Sequence, residues 1–165
     1  IGRFSFEKDP IFFLKNTLNI KNVNIHLVAD GGLKKILKKI SKTSKNVFYH
    51  GYVSNPFHKF KSKINLLCIT SKYEGTPNVL GEAMSYKIPV LAPKNVGLVN
   101  FFLKNGKYGY LYKPGNNYSF QNQTNYIIKN YTEALKKSNL GYKSLNRFSE
   151  KNTLDKIRVL IDKLY

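Results

Sequence analysis

Glu74, Asn78 and Glu82 stand close together in residues 71–93, SKYEGTPNVLGEAMSYKIPVLAP, and their spacing suits a particular chemistry. The stretch reads as a strand end, a turn at Gly75, a short helix and the next strand. Thr76 is placed to cap the helix and Pro77 to begin it, because proline's missing N–H costs nothing at the first helical position and its φ is already helical. The helix is expected to run to about Tyr86. Val79, Leu80, Ala83 and Met84 then share one face, while Asn78 and Glu82, four apart, share the other. The amides of Asn78, Val79 and Leu80 fall in the first turn, at the positive end of the helix dipole, and attract a phosphate or another anion. Glu74 and Glu82, with seven residues between them, bracket that position. Carboxylates repel phosphate but accept protons from hydroxyls. Amides for phosphate, flanked by carboxylates for hydroxyls, describe a site for a nucleotide-sugar.

The elements that must position these residues alternate along the chain. Residues 1–5 read as a first strand and 10–18 as the helix after it. Residues 23–29 read as a second strand ending at Asp30-Gly31-Gly32. The next helix has the clearest periodicity, with Leu33, Ile36, Leu37 and Ile40 as the buried stripe and Lys34, Lys35, Lys38, Lys39 and Lys42 outside. A third strand at 47–50 leads through a loop at 51–56 into a brief helix ending near Lys63. The apolar run Ile64-Asn65-Leu66-Leu67-Cys68-Ile69 is the central strand. Strands at 88–92 and 108–112 follow, separated by a loop at 93–97 and a short helix at 98–104. Phe120, Thr124, Ile127, Ile128, Tyr131 and Leu135 recur at helical spacing, as do Leu154, Ile157, Ile161 and Leu164. Residues 138–149, rich in Ser, Asn, Gly and Lys, read as a linker to that last helix, which is expected to pack loosely. The alternation predicts an α/β fold with a doubly wound, Rossmann-like parallel sheet, whose ligands sit beyond the carboxyl ends of the strands.

The chain has 165 residues, enough for one domain with a proper core. Lys and Arg number 28 against 9 Asp and Glu, a formal charge of +19, which favours anionic partners by steering alone. A solvated basic surface is the plain reading of that excess. An anionic membrane, where a polybasic patch gains about 1 kcal/mol per charge, is the next, and nucleic acid the last, since no nucleic-acid module is visible. The single Cys68 in an apolar strand permits no disulfide framework and suits a reducing, cytoplasmic setting. No run approaches the ~20 apolar residues of a membrane span, and no signal peptide is visible. His26, His50 and His58 are spread over different elements and read as structural, and no zinc spacing of Cys and His is present.

The motif EGTPNVLGEAM, with Ile88-Pro89-Val90 after it, resembles the signature of the retaining glycosyltransferases of family 4, the group 1 glycosyltransferases. Further matches follow in the family's order. Gly2-Arg3 with Lys8 resembles its opening GR…EK element, and Asp30-Gly31-Gly32 its GDG turn. Gly51-Tyr52-Val53 with Asn55-Pro56 resembles its base-side loop, and residues 105–115 its NGxxGxLxxPG segment. One departure is the loop Lys94-Asn95-Val96-Gly97-Leu98, where the family commonly has a small, Gly-rich loop.

The resemblance implies a GT-B glycosyltransferase, in which two doubly wound domains face each other across a cleft. This chain would be the C-terminal, donor-binding half, read as a fragment or an excised domain with the acceptor-binding half outside it. Arg3 and Lys8 would hold the donor's diphosphate, fixed cations stabilising a leaving group that gains charge in the transition state, with no metal and no cofactor. Glu82 would accept from the ribose hydroxyls, and Glu74 would sit by the donor sugar as nucleophile or positioning group. Gly75, Thr76, Asn78, Val79 and Leu80 would hold the sugar and phosphates, and Tyr52 and Val53 the base edge. The expected activity is transfer of a hexose or N-acetylhexosamine from a nucleotide diphosphate, UDP first, to a glycan or lipid-linked acceptor in surface polysaccharide or lipopolysaccharide assembly. Two alternatives remain open: a nucleotide-sugar epimerase of the same architecture, and an inactive basic scaffold whose polyanion binding would be steeply salt-dependent.

Overall fold

A computed structural model describes residues 1–149, 151 and 152. Helix α1 (Pro10–Thr17) begins at Pro10 because Asp9 caps it, its carboxylate accepting from the Phe12 amide at 3.1 Å. Strand β1 (Ile25–Val28) pairs in parallel with β2 (Val47–Gly51). Ile25 and Leu27 of β1 point toward α1 and toward α2 (Lys34–Thr43), where they form a core with Phe4, Leu14, Leu37 and Val47. In α2 only Leu37 of the expected stripe is fully buried. Leu33 and Ile40 lie at the edge of that core, and Ile36 is 52% exposed, because a short two-stranded sheet gives the helix a narrow shelf.

The other half is a three-stranded parallel sheet of β3 (Leu67–Cys68), β4 (Val90–Pro93) and β5 (Tyr110–Tyr112). Every residue of β4 is buried, as a central strand with helices on both faces requires. One face carries α3 (Pro56–Phe60), α4 (Asn78–Ser85) and α5 (Val99–Leu103), packed through Phe57, Leu80, Met84 and Leu103. The opposite face carries α6 (Asn117–Lys129), packed through Phe120 and Ile127. Helix α7 (Tyr131–Ser144) returns to α4: a Cβ at Gly141 would lie 3.3 Å from the Met84 methyl. The fold is thus α/β, parallel and covered on both faces, as the alternation predicts.

Several elements differ from the expectation. Residues 1–5 form no strand: Gly2 and Phe4 donate to the carbonyls of Val28 and Asp30, and the chain then turns. The expected single sheet is therefore two sheets, β2-β1 and β3-β4-β5, with an apolar cavity of about 700 Å³ between β1 and β3. The periodic run at 120–135 breaks at Asn130, whose ψ of 42° is not helical. There Glu133 accepts from the hydroxyl of Tyr126 at 2.7 Å. The stretch from 138 to 148, expected as a linker, is the end of α7 and a 3₁₀ turn (Leu145–Phe148). Ser138 is buried, and Arg147 donates to the carbonyls of Phe101 and Phe102, both at 2.9 Å. The expected last helix lies outside the described residues.

On the face of β1 and β2 turned toward α3, the rings of His26 and His50 hydrogen-bond at 2.9 Å, with Phe48 stacked on His26 and Phe60 tilted against His50. Burial holds both imidazoles below the ordinary value of 6.5, helped by His50 and Lys63 at His26 and by Lys59 and Lys63 at His50. The unfolded chain takes up these protons near pH 6.5 and the folded chain only lower, so this contribution is full above that value and is lost as pH falls. The melting temperature should drop between about pH 7.5 and 5.5, and should drop less in the His26→Phe/His50→Phe variant. Equal drops in parent and variant would remove the pair from the pH response.

Candidate functional site

The segment that enters α1 and the segment that leaves β3 are bound to each other at the carboxyl end of the sheet. Thr70 donates its hydroxyl to the carbonyls of Lys8 and Asp9, at 2.9 and 3.1 Å. The Lys72 amide donates to the Glu7 carbonyl at 2.7 Å, and its ammonium lies 3.2 Å from Asp9. These bonds bring Lys8 over Glu74. The Lys8 ammonium and the Ser71 hydroxyl both donate to Glu74 Oε1, each at 2.6 Å. The Glu74 side chain is 6% exposed and that of Lys8 35%. Glu74 is therefore a carboxylate desolvated on one oxygen's side and held by two donors, an arrangement that fixes its direction. With both donors on Oε1, Oε2 is the oxygen suited to a ligand hydroxyl.

Helix α4 starts one residue later than expected. Pro77 occupies the capping position with ψ 85°, and no side chain, Thr76 included, caps the helix. The Leu80 amide donates to the Pro77 carbonyl at 2.9 Å. An anion would thus meet the amides of Asn78 and Val79, which a helix start leaves without intrahelical acceptors. Asn78 and Glu82 are both exposed on the outer face, as their spacing predicts, while Leu80, Ala83 and Met84 are buried.

Arg3, Lys8, Ser71, Glu74 and Val79 are among the residues that line the cavity between the sheets. Arg3 is exposed, and among the described residues it pairs with neither Glu7 nor Asp9. Gly75 and Thr76 are exposed beside them. Tyr52, 79% exposed, and the half-buried Val53 lie on the loop after β2 and do not line this cavity. Among the described residues no three His, Cys, Asp or Glu side chains gather as metal ligands would, and His58 is exposed on α3.

Sequence reading assigned no role to Ser71 or Gly97. Ser71 lies inside the motif, yet only the fold shows that its hydroxyl faces Glu74. Gly97, at φ +51°, lets its loop pass so close to the motif that a Cβ there would sit 2.2 Å from the Glu74 carbonyl oxygen. The Leu98 amide then donates to the Gly75 carbonyl at 3.0 Å. The Lys- and Asn-bearing loop thus keeps its glycine at the point of closest approach.

The family model described as "Glycosyl transferases group 1" matches residues 1–151. An uncharacterised glycosyltransferase of Methanocaldococcus jannaschii is 31% identical over 134 residues, 69% of this chain and 33% of that protein. The lipopolysaccharide 1,6-galactosyltransferase of Salmonella typhimurium is 30% identical over 139 residues, 78% of this chain and 38% of that protein. The chain thus spans about a third of the length of these curated relatives. Among solved structures, a mutant TarM of S. aureus in complex with UDP and alpha-GlcNAc-glycerol superposes with a TM-score of 0.84 at 23% identity, covering 96% of this chain and 34% of that one. That likeness is one of fold.

Two substitutions test the geometry. Gly97→Ala should cost about 2–4 kcal/mol of stability, whereas Gly75→Ala, whose Cβ would meet nothing within 4 Å, should cost well under 1 kcal/mol by denaturant unfolding; similar costs would refute the close approach. Lys8→Met should cost about 2 kcal/mol, less than a fully buried pair because Lys8 is half in water, and adding Glu74→Gln should recover most of it. Additive losses would show that the two side chains are not coupled.

Proposed function

Because the chain belongs to the group 1 glycosyl transferases, we propose that it is the donor-binding half of a retaining transferase that moves a hexose or N-acetylhexosamine from UDP to a glycan or lipid-linked acceptor. The observation that carries this reading is Glu74, held by Lys8 and Ser71 at the carboxyl end of the strands, beside the start of α4. In the proposed complex Arg3 and Lys8 hold the diphosphate together with the amides of Asn78 and Val79. Lys8 has three protons to donate, so it can serve Glu74 and a phosphate oxygen together. The departing diphosphate gains charge as the glycosidic bond breaks, and these cations and amides meet it without reorganising.

Glu74 acts in this scheme as a positioning group, its Oε2 accepting from a donor-sugar hydroxyl while a diphosphate oxygen helps deprotonate the acceptor on the same face of the sugar. Its neutralising lysine and low exposure suit that role better than nucleophilic attack, which would need a freely approaching carboxylate. Glu82 accepts from the ribose hydroxyls, and the loop at Tyr52 and Val53 receives the base. The reaction proceeds in this scheme without a metal or cofactor. The acceptor is held by a further domain of the GT-B enzyme, in assembly of a surface polysaccharide or lipopolysaccharide. Peripheral contact with an anionic membrane on the cytoplasmic side belongs to the same proposal, the exposed lysines of α2 (Lys35, Lys38, Lys39 and Lys42) being the candidate face.

Calorimetric titration of UDP at about 0.15 M salt, where long-range attraction is largely screened, separates this reading from its rivals. UDP should bind saturably, and Glu82→Ala should weaken it about tenfold, the loss expected for a hydrogen bond to a charged group. Binding indifferent to Glu82 and abolished by salt would point to a basic scaffold. Turnover of UDP-sugar to an epimer with no acceptor present would point to an epimerase.

A further inference from the structure

Lys94 and Lys113 are the first residues beyond β4 and β5. Pro93 pairs with Tyr112 at the end of that ladder, and the Lys94 amide donates to the Tyr112 carbonyl at 2.9 Å. The two lysines are therefore next in register, with backbones about 4.8 Å apart. Alternation also gives them one side of the sheet. Val90 and Ala92 belong to the core under α4 and Leu91 to that under α6, while Leu111 packs on the α4 side and Tyr110 and Tyr112 on the α6 side. The next residue of each strand falls on the side of α4. Both lysines are exposed, and among the described residues neither lies within ion-pair distance of a carboxylate. Like charges at directly neighbouring strand positions repel, and an anion held between them removes that cost.

The backbone at both positions is tied down. The Asn95 amide donates to Asn100 Oδ1 at 2.7 Å, and the Leu98 amide to the Gly75 carbonyl, which binds the loop after β4 to the motif. The Lys113 amide donates to the Ser119 hydroxyl at 2.9 Å. The other strand exits differ. Beyond β3, Lys72 is held by Asp9 at 3.2 Å and lies over the Phe6 ring, 3.6 Å from its centroid. Beyond β1, Lys34 pairs with Asp30, and beyond β2 residues 52–55 carry no charge. The unpaired cations at the carboxyl ends of the strands are thus Arg3 on the β1 side of Glu74, and Lys94 and Lys113 on its β4 side.

We propose that Lys94 and Lys113 form a second anion subsite, which takes a phosphate or carboxylate that the acceptor carries beside its reacting hydroxyl. The inference rests on the donor-site reading for its direction. With the base at Tyr52 and the diphosphate at Arg3, Lys8 and the start of α4, the sugar end of the donor points toward β4 and β5. All the charge of a UDP-hexose is in its diphosphate, so cations beyond the sugar meet charge that the second substrate brings. Each ammonium has three protons to donate, and two of them on neighbouring strands suit a group with two or three acceptor oxygens. The four-carbon stems let both ammoniums close on one such group.

The test follows the backbone amide resonances of the full chain by NMR while glycerol 3-phosphate, a hydroxyl beside a phosphate, is titrated in at about 0.15 M salt, with glycerol as the blank. The amides of Lys94, Lys113 and their neighbours should shift saturably. Lys94→Gln/Lys113→Gln should weaken that response about fivefold, the loss of two exposed ion pairs. Lys21→Gln/Lys45→Gln removes the same charge from exposed positions before β1 and β2, at the opposite ends of the strands, and should leave the response unchanged, as should saturating UDP. The proposal is overturned if these amides do not shift, if both variants weaken the response alike, or if UDP abolishes it, which would put the two lysines in the diphosphate site. In a calorimetric arm UDP-glucuronate and UDP-glucose should bind alike. A preference for the uronate that Lys94→Gln/Lys113→Gln removes would assign the charge to the donor sugar and overturn the proposal too. The phosphate response is also read without UDP, so loss of UDP binding with that response intact would refute the donor-site reading and keep the subsite.

Discussion

The candidate site depends on one ion pair that joins residues 66 positions apart, Lys8 to Glu74. Within their own loops the two side chains have only the Ser71 hydroxyl, on Glu74, to hold them. Lys8 follows a turn and Glu74 precedes a glycine, so each would otherwise sample many rotamers and lose that freedom on binding a ligand. The bonds of Thr70 and Lys72 to the opposing backbone remove the freedom in advance. The same 2.6 Å contacts that desolvate Glu74 compensate it. Preorganisation of this kind is what electrostatic stabilisation of a leaving group requires, because charges already in place need not reorganise as the bond breaks.

The geometry of the candidate site was legible in the sequence where it rested on spacing along one element. Asn78 and Glu82 share the outer face of α4 because a helix repeats every 3.6 residues, and no tertiary detail alters that. Thr76 as cap failed because a proline followed it: Pro77 took the capping position itself and left Thr76 outside the turn. Ser71 and Gly97 were not legible, because their importance comes from what approaches them. A serine two residues beyond a strand and a glycine in a lysine- and asparagine-bearing loop carry no local signal of a carboxylate 2.6 Å away or a carbonyl that a Cβ would strike.

The fold divides in the same way. Strand and helix alternation and the apolar run of β4 forecast a parallel sheet covered on both faces, and the two sheets and their helices have that form. The reading of residues 138–149 as a linker failed because composition reports polarity and not burial. Ser138 and Gly141 are small, and their smallness lets α7 lie against α4 and Tyr108. Arg147, polar in any composition, is held on two carbonyls and packed among Phe101, Tyr108 and Phe148. Small and amphipathic residues support either reading, and only a partner surface decides between them.

The two carboxylates of the motif differ in surroundings in a way that the strongly basic composition sharpens. With 28 Lys and Arg against 9 Asp and Glu, an exposed acid would be expected to collect a lysine. Asp9, Asp30 and Glu133 do so, as does the nearly buried Glu74. Among the described residues Glu7 and Glu82, both exposed, hold no cation within ion-pair distance. A carboxylate that is already paired costs more to recruit as a hydroxyl acceptor, since the bond it makes must be won from the lysine. Glu82 carries no such competition and can take both hydroxyls of a diol. Glu74 presents one fixed oxygen and suits a single hydroxyl whose direction matters. In the proposed complex that division gives Glu82 the ribose diol and Glu74 a single sugar hydroxyl, with the diphosphate between them at the start of α4.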